Sequence, residues 1–431
     1  MDKLAIFGGK KVINYAYDRY NSISKEEKNA VKNVMESGVL SNYVGANCDE
    51  FLGGKNVRKL EKLASDYFGV KYAISVNSWT SGLTIAVGAI GISPGDEVIT
   101  TSWTMSATAT AILQWNAIPV FCDIDIHTFC IDHRKIKELI TSKTKAIIAV
   151  DIYGQSANME KIMEIAEENN LMVISDTAQS PGAKHNGAYA GTLAHIGGYS
   201  LNYHKHINCG EGGIIVTNDP KLAYRCQLIR NHGEVVVGHD HDDKDLVNII
   251  GGNYRLGEIE CAIAYEQLKK LDSIIFKIQT LAERLIDGLS EIGELKIPFI
   301  PSNNTHVYYV VPLVLKLQSS KIKRSVIVEA LRAEGVVVGE GYQNLHKLPI
   351  YQKRVAYGSE GYPWRSCGVE SSVKYEMACL PITEKLHDEM LISIPMTMYD
   401  FSDTDIDLII LSFKKVFSNF KKIEEGLNKC L

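Results

Sequence analysis

The chain has 431 residues, 45% hydrophobic and 23% charged, with a formal net charge of -5. This is ordinary globular usage, long enough for two domains with substantial cores, and it excludes a disordered or low-complexity protein. Lys and Arg are dispersed, with no basic stripe or interleaved aromatic–basic pattern, which argues against nucleic acid as the main partner.

The amino terminus, Met1 to Lys11, carries no apolar core long enough for a signal peptide, and no run of about 18 apolar residues occurs anywhere. Nine cysteines are scattered without a CxxC pair, and an odd number does not suggest a disulfide framework. These features predict a cytoplasmic protein that neither leaves the cell nor spans a membrane.

From the amino end, short apolar runs alternate with segments of helical period, the pattern of βα units on a mostly parallel sheet. Strands are expected at Lys71 to Asn77, Glu97 to Ser102, Pro119 to Asp123, Ala146 to Val150, Leu171 to Ser175, Ile196 to Leu201 and Gly213 to Thr217. Leu83, Val87 and Ile90 recur at helical spacing, as do Ile162, Ile165 and Ala166. Asp219-Pro220 reads as an N-cap with Pro in the first helical position. Ile274 to Ile292 is helical in period. Next come an apolar strand, Val307 to Leu315, a helix around Ile322 to Glu334, and an amphipathic helix, Asp403 to Val416, with Ile406, Ile409, Ile410 and Phe413 on one face. The expected division is an amino-terminal segment at 1–50, a large domain at 51–272 and a smaller α/β domain at 273–431.

Two clusters carry chemistry. Lys205 lies in Ser200-Leu-Asn-Tyr-His-Lys-His-Ile-Asn-Cys-Gly210-Glu-Gly-Gly213, and Asp176-Thr-Ala-Gln179 closes the apolar run Leu171 to Ser175. A lysine beyond one strand, an aspartate ending another and a glycine cluster suit pyridoxal 5′-phosphate. The amine must be deprotonated part of the time to form a Schiff base, and a carboxylate beside the pyridine nitrogen keeps that ring charged. Taken singly, a lysine between His204 and His206 reads as a solvated loop residue, and Asp176 as a helix N-cap.

The spacing Ser-x4-Lys-x4-Gly-Glu-Gly-Gly after Asp-x-Ala-Gln resembles the DegT/DnrJ/EryC1/StrS sugar aminotransferase family. Further segments match in order: Gly53 to Glu61, Gly91 to Val98, Pro119 to Asp123, Arg230-Asn-His-Gly233 and Asn253-Tyr-Arg255. The resemblance implies an aspartate aminotransferase-like fold. Its large domain has a mostly parallel sheet flanked by helices, followed by a smaller carboxyl-terminal α/β domain. It implies Lys205 as the Schiff-base lysine, Asp176 at the pyridine nitrogen and Gln179 beside the phenolic oxygen. Thr80 and Ser81 would hold the phosphate at a helix start, with Ser200, a placement that free amides and the helix dipole favour. Trp103 matches the aromatic over the cofactor ring. Asn253 matches a residue that reaches the neighbouring subunit's phosphate, which implies a homodimer with its active site at the interface.

Two positions depart from the family: Trp79 stands where a small residue, often Gly, is usual, and Asp151 where His is frequent. Relatives that carry His in place of the lysine are sugar dehydratases, but here the position is Lys205. The reaction implied is transfer of an amino group from glutamate or glutamine to a keto sugar or sugar-like ketone, in surface-polysaccharide or secondary-metabolite biosynthesis. The other readings are a dehydratase of the same fold, an aminotransferase for a cyclitol, sugar acid or small phosphorylated carbonyl compound, and a non-catalytic protein on the same scaffold. Ala5-Ile-Phe-Gly-Gly-Lys10 and Gly53-Gly54 resemble the cyclitol branch, and Arg230, Arg255 and His346 are candidates for contacting anionic or hydroxylated groups. The run His239-Asp-His-Asp-Asp-Lys-Asp245 offers metal ligands in principle, but a charged, Gly-flanked run reads better as a substrate lid, and no metal is expected.

Overall fold

The computed structural model describes residues 3–238, 242, 246–316, 322–366, 369–420 and 423. Its core is a seven-stranded sheet made of β1 (Tyr72–Val76), β2 (Glu97–Thr101), β3 (Ile118–Cys122), β4 (Thr144–Val150), β5 (Met172–Asp176), β6 (Ile196–Ser200) and β7 (Gly213–Thr217), in the order β1-β7-β6-β5-β4-β2-β3. The pairings from β6 through β5, β4 and β2 to β3 are parallel. Only β7, between β6 and β1, runs antiparallel to its neighbours. Continuous burial along β2, β3, β6 and β7 fits a sheet covered on both faces, which is why these strands read as unbroken apolar runs rather than alternating ones.

The longer helices are α1 (Lys25–Ser37), α2 (Lys55–Phe68), α3 (Trp79–Ala89), α4 (Ala107–Gln114), α5 (Met159–Glu168), α6 (Pro220–Arg230), α7 (Glu258–Leu268), α8 (Leu271–Leu289), α9 (Arg324–Ala333) and α10 (Asp403–Ser418). α6 starts as the sequence predicts: Asp219 accepts from the amides of Lys221 and Leu222, and Pro220 takes the first turn, where no amide is needed. α3 is buried nearly all round, wedged among the sheet, α4 and α6, so its residues show no amphipathic stripe.

A second sheet, β8 (Leu295–Lys296), β9 (Val310–Leu315) and β10 (Leu391–Pro395), is antiparallel and packs with α8, α9 and α10. Whereas α1 packs on α7, the start of the amino-terminal segment belongs to this core, because Leu4 and Ile13 are buried among Leu285, Leu331 and Phe413. The fully buried Glu334 ties it there: its carboxylate accepts from the Ala5 amide at 2.8 Å and pairs with Lys415 at 2.9 Å. Conversely, Leu345, Tyr351, Trp364 and Tyr375 pack back on the large domain, at Phe121 of the edge strand β3 and Leu113 of α4. The expected division after residue 272 falls inside α8, and the strand expected from Val307 begins at Val310. A helix can carry the chain from one core to the next without a break in its hydrogen bonds. No linker composition therefore marks the crossing.

Arg230, at the end of α6, is fully enclosed. It donates to Glu61 of α2 at 2.6 Å and to the Ser75 carbonyl of β1 at 3.1 Å, and its guanidinium lies 5.1 Å from the Tyr43 ring centre. Removing one member of such a pair strands the other in a dry place. Arg230→Ala should lower unfolding free energy by about 3–5 kcal/mol in a urea titration. A loss below about 1 kcal/mol, the range of an exposed pair, would contradict the enclosed ion pair.

Candidate active site

The functional side chains gather at the carboxyl ends of the parallel strands, where open α/β sheets bind ligands. Asp176 ends β5 and is 4% exposed. Trp79 Nε1 donates to its Oδ1 at 2.7 Å, and Thr108 Oγ1 donates to Oδ2 at 2.7 Å. The Ala178 amide adds a longer bond to Oδ1, at 3.3 Å. A buried carboxylate needs such donors, because its desolvation would otherwise be costly.

Lys205 lies in the loop that leaves β6. The carbonyls on either side of it are held from distant segments: Thr397 donates to the His204 carbonyl and Tyr20 to the His206 carbonyl, each at 2.9 Å. His206 Nε2 lies 2.7 Å from the Val307 carbonyl. Burial pushes both flanking imidazoles down to about 4, so they are neutral near pH 7. The Lys205 side chain is 7% exposed, and its Nζ sits 4.4 Å from the centre of the Tyr309 ring. Burial pushes this amine down to about 8, against the opposing pull of Asp176. A sizeable fraction is therefore an uncharged nucleophile at neutral pH.

At the start of α3, Ser78 caps the helix, its Oγ accepting from the Ser81 amide at 3.0 Å and lying 2.9 Å from Ser81 Oγ. The first amides of a helix have no intrahelical acceptor, so Trp79 and Thr80 can present theirs to an anion. Gly213 opens β7 against this turn, where a Cβ would come within 2.7 Å of the Trp79 nitrogen. Ser200, at the end of β6, is buried, and its Oγ accepts from the Asn202 amide at 3.3 Å. Gln179 accepts from the Tyr153 amide at 2.9 Å and donates to the Tyr342 hydroxyl at 2.6 Å. Tyr153, Tyr309 and Tyr342, with Gly339 to Gly341, line part of a cleft of about 590 Å³, and the Lys205 amine lies over the ring of one of them, Tyr309.

Other expected residues stand differently. Trp103 is wholly enclosed, and its indole edge is close enough to Gly341 that a Cβ there would lie 3.0 Å from it. Asn253 lies beside its own chain's Asn77, whose side chain donates to its carbonyl at 3.4 Å, and its Oδ1 accepts from Arg255 at 2.8 Å. Arg230 is committed to Glu61, and His346 is enclosed between Ser102 Oγ at 2.8 Å and Glu384 at 3.1 Å, so neither faces the cleft. Asp151 is behind the site rather than on its substrate side. It accepts from Ser175 and Thr177 at 2.7 Å and from the Ala157 amide at 2.8 Å, and complete burial raises it to about 6. The lid expected at 239–245 lies, Asp242 apart, outside the described residues.

Sequence reasoning missed Thr108, Tyr20, Tyr309, Tyr342 and Thr397. Tyr309 sits in the run Val307-Tyr-Tyr-Val-Val, which reads only as strand core, and the others have no local signature.

An enclosed amine for an aldehyde, a buried carboxylate for a ring nitrogen and a capped helix start for a phosphate together fit pyridoxal 5′-phosphate. Fold and site thus define a pyridoxal-phosphate-dependent transferase. More narrowly, the chain belongs to the DegT/DnrJ/EryC1/StrS aminotransferase family, whose sequence model matches residues 21–398. It is 34% identical over 299 residues to the GDP-perosamine synthase of Caulobacter vibrioides, covering 69% of this chain and 79% of that one. It is 31% identical over 378 residues to the L-glutamine:2-deoxy-scyllo-inosose aminotransferase of Streptomyces lividus, covering 83% and 86%. Among solved structures, the ntda protein of Bacillus subtilis with bound cofactor PMP superposes with a TM-score of 0.75 at 29% identity, covering 91% of this chain and 82% of that one. The protein is accordingly a pyridoxal-phosphate-dependent aminotransferase. Among the described residues, no helix is long and apolar enough to cross a membrane.

The position of the Lys205 amine has a direct consequence for pH. Only the neutral amine attacks an aldehyde, so the rate at which the apoprotein captures the cofactor should climb with pH and level off above about 8. Stopped-flow absorbance across pH 6 to 10 measures this. A rise centred near the ordinary lysine value of about 10.4 would contradict the depressed amine.

Proposed function

We propose that the protein transfers an amino group from glutamate or glutamine to the ketone of a sugar or cyclitol, with Lys205 as the residue that binds the cofactor covalently and then moves protons. The observation that carries this reading is the enclosed Lys205 amine, depressed to about 8, which feels the charge of Asp176 and lies over the ring of Tyr309, a residue of the tyrosine-lined cleft. When bound, the cofactor supplies an electron sink for the carbon that loses or gains a proton. Lys205, freed from it, is placed to carry that proton between donor, cofactor and acceptor.

In the same reading Asp176 meets the ring nitrogen and Gln179 the phenolic-oxygen side. Thr80, Ser81 and Ser200 hold the phosphate. Trp103 walls the ring, since a fully enclosed indole suits packing better than an open stacking platform. The cleft bounded by Tyr153, Tyr309 and Tyr342 takes the acceptor; ring faces suit the C–H faces of a polyhydroxylated ring, and tyrosine hydroxyls suit its edges. Both a nucleotide-linked sugar and a free cyclitol are consistent with the activities named for the relatives. We place the protein in the cytoplasm as a homodimer, with the exposed Asn253, beside Asn77 just before α3, reaching the phosphate site of a second subunit. Dehydration of a sugar on the same cofactor is the second reading; the intact Lys205, rather than a histidine, favours transamination.

The donor alone tests the first half-reaction. Glutamate or glutamine should convert the yellow holoenzyme to its colourless pyridoxamine form, and a suitable ketone should restore the colour. Loss of a hydroxyl from a nucleotide sugar without any donor-driven conversion would favour the dehydratase instead. Lys205→Ala should abolish both the covalent attachment, read by mass spectrometry after borohydride reduction, and turnover. Light scattering should give the mass of a dimer, and a fully active monomer would contradict the shared site.

A further inference from the structure

The neighbourhood of Trp79 is shaped around its indole. A Cβ on Gly198 would lie 2.1 Å from the indole Cζ3, and one on Gly82 would lie 2.5 Å from Cε3. Gly198 is the register partner of Asp176 across β5 and β6, so the indole covers the strand beside the carboxylate. Trp79 itself is 4% exposed, and its only polar atom points at Asp176 Oδ1 from 2.7 Å.

The acceptor arithmetic of Asp176 then matters. An ionised carboxylate offers about four acceptor positions. Oδ1 takes Trp79 Nε1 and, more weakly, the Ala178 amide, while Oδ2 takes Thr108 Oγ1. One position remains, on Oδ2. Indole and amide N–H groups can only donate, so they bind a carboxylate and have nothing to offer the O–H of a carboxylic acid. Thr108 is itself 3.0 Å from Thr104 Oγ1, a second hydroxyl that can accept or donate as the pair requires.

We propose that Trp79 is a positioning residue for the cofactor. Its N–H fixes the rotation of the Asp176 carboxylate, which reserves the remaining acceptor on Oδ2 for the cofactor's ring nitrogen. The inference rests on the reading of Asp176 given above. A phenyl ring at position 79 would fill most of the same space and leave Oδ1 without its strongest donor.

The test measures the affinity of the apoprotein for pyridoxal phosphate and for its 1-deaza analogue, in which C–H replaces the ring nitrogen. The proteins are wild type, Trp79→Phe, Asp176→Asn and the double variant. Loss of a hydrogen bond to a charged group predicts that Trp79→Phe binds pyridoxal phosphate roughly tenfold or more weakly. Binding of the analogue should change by less than about twofold, and Trp79→Phe should cost little more once Asp176 is already Asn. Equal loss for cofactor and analogue, or full additivity in the double variant, would overturn the proposal in favour of simple packing. If Asp176→Asn leaves pyridoxal phosphate affinity unchanged, the reading of Asp176 fails and takes this inference with it, a pattern distinct from failure at Trp79 alone. Should Trp79→Phe not fold, incorporation of benzothienylalanine at position 79, which keeps the bicyclic shape without the N–H, makes the same comparison.

Discussion

A carboxylate buried in a dry site is the constraint from which the rest of this molecule can be understood. Asp176 has almost no contact with solvent, so each of its oxygens must find donors in the protein. Those donors come from two different βα units: Trp79 from the start of α3, and Thr108 from α4. Bringing them together requires β1, β2 and β5 to end at the same level, with α3 lodged against the sheet. The buried, nearly all-apolar α3 and the glycines at 82 and 198 follow from that requirement. They let a helix and a strand approach closely enough for an indole to span them.

In the proposed reaction the second constraint is an amine that must change partners. The chain holds Lys205 by its neighbours' carbonyls rather than by its ammonium group. Tyr20 comes from the amino-terminal segment and Thr397 from the end of the small domain, so the loop is braced by parts of the chain remote in sequence. The side chain contacts the face of Tyr309, which attracts a cation without demanding one direction. A rigid backbone with a less restrained amine is what a proton carrier needs. The amino-terminal segment is likewise divided between the two cores, its first residues packing with the carboxyl-terminal domain and α1 packing on α7.

Much of this was legible in the sequence because it is local. The strand runs are apolar and continuous since the sheet is covered on both faces, and Asp219-Pro220 caps a helix through bonds to residues two and three positions on. Lys205, Asp176 and Gln179 were singled out through short spacings that need no knowledge of the fold. What was not legible depends on contacts across the chain. Nothing near Tyr309 distinguishes it from its neighbour Tyr308, yet only the former faces Lys205. Arg230 reads equally well as a ligand for an anionic substrate and as the partner of Glu61, which lies 169 residues away. Asp151 looks like a substrate-side exchange until Ser175, Thr177 and the Ala157 amide are seen to enclose it.

Asp151 and Asp176 together illustrate how two acids at the ends of neighbouring strands are assigned different work. Val150 and Asp176 are register partners, so the two carboxylates leave adjacent strands close to one another, and the charge of Asp176 adds to the burial that raises Asp151. Asp151 receives donors from its immediate surroundings only, two hydroxyls and an amide of the strand-end turns, and it closes that turn structure internally. Asp176 instead draws its two close donors from α3 and α4, beyond its own strand end. Each carboxylate takes three donors of the about four it could accept, so the difference lies in where the donors come from and not in how many there are. Donors from its own surroundings tie Asp151 to the strand-end turns alone, whereas donors from two separate helices let Asp176 join the ends of β1, β2 and β5 at the carboxyl edge of the sheet.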